Sequence, residues 1–103
     1  MKNNLTDTAQ LDLSLTALDL CGELLENMLN DAAYGITRSR STVLAYGRLD
    51  GLCKALDAVS YHSIATSVIN STLKAYNGMG DTTMQRALLL LIDQTADTLR
   101  KGL

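Results

Sequence analysis

Four carboxylates, Asp12, Asp19, Glu23 and Glu26, recur in the first third of the chain at helical spacing. At about 100° per residue they fall on one stripe with Thr16, Asn27 and Asn30. An acidic stripe of this kind can dock a basic partner or collect a divalent cation. The plainer alternative is a solvated helix face, which is the commoner fate of charges on an amphipathic helix. Acid–base catalysis by a carboxylate pair needs an apolar cleft that separates the two pKa values, and nothing in the pattern indicates one.

The cations are placed elsewhere. Arg38, Arg40, Arg48 and Lys54 cluster in the second quarter, whereas residues 1–31 carry six acidic side chains and one basic one. Segregated charge of this kind can contact phosphate or an acidic protein surface. It can equally complement the first helix, within one chain or across a dimer. A helix-turn-helix reading expects a tight turn, often with Gly, and a recognition helix that reaches phosphates and bases. Here the residues that would form that turn include no Gly, and the third segment offers Ser63, Thr66, Ser67, Asn70 and the single cation Lys74. A nucleic-acid-binding regulator using the basic 38–54 segment is therefore the alternative function and not the favoured one.

Nucleophiles and metal ligands are sparse. Cys21 and Cys53 stand far apart, no CxxC pair exists, and His62 is the only histidine. A structural zinc site usually needs four Cys or His ligands at close spacing, so no metal site is expected. On one continuous helix Cys53 and His62 would lie on opposite sides and form no local dyad. Cysteines on apolar faces are usually inert core residues. No GxSxG, GxGxxG or GxxxxGK[ST] pattern occurs, so neither a nucleophile elbow nor a phosphate-cradling loop is expected. The expectation is a non-enzymatic chain without a cofactor.

The elements that carry these residues follow from composition and period. The chain has 103 residues, 47% hydrophobic and 19% charged, with a formal net charge of −2. That length suits one domain, and that balance argues against disorder and weakly against nonspecific nucleic-acid binding. Proline is absent, so no segment is barred from being helical. The longest apolar run covers 87–92, far short of the ~20 residues of a bilayer span. Lys2 has no apolar stretch behind it, so no secretory signal is read and a cytoplasmic location is expected.

Periodicity predicts an all-α fold with helices over about 8–33, 41–59, 61–76 and 82–101. Gly35 reads as a left-handed C-terminal stop, Gly78 as another stop, and Asp81 as an N-cap. Helix 1 is apolar or small outside its acidic stripe, so it must be covered from more than one side and should be central. The apolar faces of helices 2 and 3 would point about 180° apart on one continuous helix. Either the chain turns near 59–62, with Ser60 as a cap, and gives a compact four-helix bundle, or one long helix runs through, its two halves packing on different neighbours, and gives a three-helix form that favours an intertwined dimer. The turn is preferred.

Helix 4 is predicted to bury Met84, Leu88, Leu91, Ile92, Thr95 and Leu99, leaving Leu90 on the far side among Arg86, Gln94, Asp97 and Lys101. Gly47, Gly51, Ala55 and Ala58 form a small-residue strip on helix 2, expected to receive helix 1 closely. On that reading Gly51→Leu disrupts folding; if a partner helix enters the strip instead, only binding suffers. A core rich in Leu and Ala is loosely specified, and burying the surplus apolar surface of helix 1 and Leu90 in a homodimer would help. The leading expectation is a small protein–protein interaction module, a regulator, inhibitor or adaptor. Its candidate contact residues are Asp12, Asp19, Glu23, Glu26, Arg38, Arg40, Arg48 and Leu90, with a protein partner, a homodimer and no membrane.

Overall fold

A computed structural model of the chain describes residues 7–58, 64–78 and 81–101. They form a four-helix bundle: α1 (Asp7–Ala33), α2 (Arg40–Ala58), α3 (Ile64–Gly78) and α4 (Thr82–Arg100). No strand occurs among the described residues, and no helix among them is long and apolar enough to cross a membrane. The predicted spans agree with these helices closely. The turn predicted at 59–62, the Ser60 cap and His62 lie outside the described residues.

α1 is the mast of the bundle. Its 27 residues rise about 40 Å, and α2, α3 and α4 all pack against it. Ala17, Leu18, Cys21, Leu24 and Leu25 are almost fully buried, and Leu11, Leu13, Leu15 and Leu20 are partly buried against the core. Each fully buried leucine contributes roughly 1.5–3 kcal/mol. The apolar girth that the sequence assigned in part to a dimer is thus covered within the chain. Asp12, Thr16, Asp19, Glu23, Glu26 and Asn30 are exposed, as the stripe predicted, with Asn27 at its half-buried edge.

The ends of the helices have local causes. At the end of α1 the Ile36 N–H reaches the Asp31 carbonyl at 2.8 Å and the Gly35 N–H reaches that of Ala32 at 3.2 Å. This is the paired pattern of a Schellman stop, and Gly35 takes the required φ of 68°. α2 begins one residue earlier than predicted because Ser39 caps it, its Oγ accepting from the Thr42 N–H at 3.2 Å. Asp81 caps α4 as expected, accepting from the Met84 N–H at 3.1 Å.

α2 and α3 do not form one helix. The Tyr46 and Tyr76 rings stack with centroids 4.1 Å apart and planes 8° from parallel. Thirty residues of continuous helix would place them about 45 Å apart. The chain therefore reverses between α2 and α3, which is the four-helix alternative.

Two expectations about faces need correction. Met84 and Leu91, predicted in the core, are 52% and 43% exposed. α4 packs on α1 and α3 from one side, and its apolar arc is wider than those two neighbours cover. Leu88, Ile92, Thr95 and Leu99 are buried as predicted, and Gln85 and Ala96 join them in the core. Nor does the strip on α2 receive helix 1: Gly47, Gly51 and Ala55 are exposed, and a Cβ at either glycine would meet nothing within 4 Å. α2 turns Ala45 and Leu49 toward α1, and that face lies opposite the glycines. The side chain of Ala58 is outside the described set.

Candidate functional site

The polar chemistry of the molecule concentrates where the end of α1, the 34–39 connection, the start of α2, the end of α3 and the start of α4 meet. A cleft of about 210 Å³ opens there. Asp31 stands at its base, only 4% exposed. It lies three residues after Met28 and seven after Leu24, so helical period points it inward with them. Its Oδ2 accepts from the Ser39 N–H at 2.9 Å and from the Thr42 hydroxyl at 2.6 Å. The Ser39 and Thr42 hydroxyls also lie 3.0 Å apart, which closes the cluster around the carboxylate. Burial works to raise the Asp31 pKa. The Ser39 N–H and the Thr42 and Ser39 hydroxyls outweigh it and hold the carboxyl below its ordinary 3.8.

Arg38 forms the second polar wall. Its Nη2 donates to the Tyr76 carbonyl at 2.7 Å, satisfying one of the orphan acceptors at the end of α3. Its guanidinium carbon also lies 3.9 Å from the centroid of the Tyr76 ring. The Tyr46 ring sits at a similar distance from that ring, and one face cannot hold both groups. Guanidinium, Tyr76 and Tyr46 therefore form a three-layer stack that ties the connection, α3 and α2 together.

Gln85 closes the cleft from α4. It is 3% exposed, and its Oε1 finds no hydrogen-bond partner among the described residues. An unmet buried acceptor costs about 1–3 kcal/mol.

The residues singled out from sequence scatter around this cleft. Arg38 lies in its wall. Arg48 pairs instead with Glu23 at 2.8 Å, both partners about half exposed, so the contact is worth at most about 1 kcal/mol. Lys54 pairs with Asp50 at 3.2 Å along α2. Arg40 is exposed, and Leu90 is exposed as predicted. Asp19, Glu23 and Glu26 line a shallow groove between α1 and α4 with Asp93 facing them, while Asp12 lies further along α1. Among the described residues no three Cys, His, Asp or Glu groups have the geometry to hold a metal ion.

Neither cysteine is in a disulfide. Burial pushes the Cys21 thiol from 9.0 up to about 12, with a Thr72 hydrogen bond working against it and nearby Cys53 adding to it.

Sequence reading missed Asp31, Thr42, Tyr76 and Gln85. One signal was present for the first pair: Ser39 ahead of Thr42 is a capping pattern, and Asp31 interrupts an apolar line. Gln85 carried none.

Comparison with protein-family models, with curated proteins and with solved structures finds no match to this chain.

Proposed function

We propose that this chain is a small protein–protein interaction module, and that the outer face of α2 is its contact surface, with a second copy of the chain as occupant. The observation that supports this is an uncovered apolar helix face. Val43 is 47% exposed and Leu44 54%, and they continue directly into Gly47, Gly51 and Ala55. The space over both glycines is open. α2 packs mainly on α1, which leaves this strip, flanked by Arg40, Arg48 and Lys54, uncovered among the described residues.

The face is self-complementary. Its bulk lies at the N-terminal end and its hollow at the C-terminal end. Turning one copy end for end sets Val43 and Leu44 over Gly51 and Ala55 of the other, and a two-fold axis repeats the contact. Glycine lets the two backbones approach closely. Of the four cations in the basic segment, Arg38, Arg48 and Lys54 have partners within the chain. That pattern lends the phosphate-binding alternative less support.

Sedimentation equilibrium across the micromolar range tests the proposal. The expected mass is twice the 11.1 kDa of one chain. Gly51→Glu should return it to one chain with helical content unchanged, because the position is open to solvent. A single-chain mass throughout, or a dimer indifferent to Gly51→Glu and to Val43→Lys, overturns it.

A further inference from the structure

The two cysteines meet on one seam of the bundle. α1 and α2 run antiparallel, and two contacts fix their register: Thr42 reaches Asp31, and Arg48 reaches Glu23. Continued along α2 to Cys53, that ladder arrives at the turn of α1 that holds Cys21. The flank agrees as well as the level. Cys53 follows Tyr46 by two helical turns, so it shares the side of α2 whose ring stacks on Tyr76 of α3. Cys21 turns to the same side of α1, where it hydrogen-bonds Thr72, one turn before Tyr76. The two thiols also sense one another electrostatically. Cys21 is fully buried, Cys53 is half-buried, and neither is in a disulfide. Helices in contact lie about 8–10 Å apart with Cα atoms about 2.3 Å off each axis, which brings facing positions into the ~4.4–6.8 Å range that a disulfide spans.

We infer that Cys21 and Cys53 are a site of reversible oxidation, which a small disulfide such as oxidised glutathione closes into a bond fastening α2 to α1. Cys53, the more accessible thiol, starts the exchange. Its thiolate attacks one sulfur of the small disulfide, and one glutathione leaves as thiolate. The Cys21 sulfur then attacks the Cys53 sulfur from inside the seam. The second glutathione leaves and takes up the proton that Cys21 gives up. Two protein thiols are oxidised, and one small disulfide is reduced to two thiols. Burial leaves Cys21 little thiolate, and its fixed position beside the mixed disulfide offsets this. α2 packs mainly on α1, so the bond crosses the contact on which α2 depends. Cys53 lies on another side of α2 from Gly47 and Gly51, so this inference stands apart from the α2 contact surface.

Mass spectrometry of the whole native chain, incubated with oxidised glutathione at mildly alkaline pH, tests it. The expected product has lost the mass of two hydrogens, carries no glutathione, and yields one linked peptide pair containing Cys21 and Cys53. It should form faster than the chain unfolds under the same conditions, and dithiothreitol should reverse it. Deuterium entry into the C-terminal half of α2 should slow about tenfold or more in the oxidised form. Cys21→Ser should stop at the mixed disulfide on Cys53. Cys53→Ser should leave Cys21 a thiol until the chain unfolds. A wild-type product that keeps glutathione on Cys53, a link between two chains, or closure only at the rate of unfolding would overturn the inference. Modification of Cys21 in Cys53→Ser as fast as closure of the wild type would overturn it as well.

Discussion

Thr42 gives its hydroxyl proton to Asp31 across 2.6 Å, and this contact pins the first turn of α2 to the last turn of α1. Asp31→Ala leaves the Thr42 hydroxyl and the Ser39 N–H without their acceptor. The expected loss is about 1–3 kcal/mol, measured by urea unfolding. The same carboxyl gives stability a dependence on acid. Its folded-state pKa lies below 3.8, so its contribution is complete above the unfolded value and is withdrawn as pH falls through the folded one. The wild type should lose stability through that window, and Asp31→Ala should show a flatter acid limb.

Cys21 acts at the other end of the scale. Its folded-state pKa is pushed up to about 12 from 9.0. A raised thiol value means the fold keeps a proton that the unfolded chain gives up. Its share of stability is therefore intact below 9.0 and declines as pH climbs from there toward 12. Cys21→Ala should soften that alkaline decline. In native protein at mildly alkaline pH, a thiol reagent should modify half-buried Cys53 first and reach Cys21 at the rate of unfolding. Mass spectrometry of the labelled peptides reads the order directly.

Gly51 should tolerate a methyl group and gain from it. The site is helical, exposed and clear of neighbours. Gly51→Ala is expected to raise stability by about 0.5–1 kcal/mol through backbone entropy alone. A thermal melt at low concentration separates this effect from any change in association. Loss of stability would instead mean that α1 does approach the strip.

The Tyr46–Tyr76 stack is expected to be energetically coupled. A double-mutant cycle with Tyr46→Leu and Tyr76→Leu should return about 0.5–1.5 kcal/mol beyond the loss of buried area. A coupling near zero would show that the rings merely lie together.

Much of this architecture is legible in the sequence, for a physical reason. Helical period sorts Asp12, Asp19, Glu23 and Glu26 from Leu18, Cys21 and Leu25 without knowledge of any neighbour. Gly35 and Asp81 announce their stops through backbone and capping preferences that are local. What was not legible depends on where neighbours stop. Met84 and Leu91 sit on an apolar arc that looks continuous with the core, and only the positions of α1 and α3 show that it extends past them. A run of small residues such as Gly47 and Gly51 reads alike whether a helix lies on it or water does. Asp31 finds its partner eleven residues away across a connection, a pairing to which periodicity is blind.

The unequal neighbourhood of α2 bears on how the molecule loosens. α1, α3 and α4 pack on one another, while α2 rests on α1 and meets α3 through Tyr46, close to its own first turn. Its far half hangs on a single seam. Deuterium should enter the amides of that half through a partial opening that leaves the other three helices shut, well before the chain melts as a whole. Held mainly on that one seam, α2 would find the same seat on the α1 of a second molecule, so two entangled chains would trade it without either one coming undone.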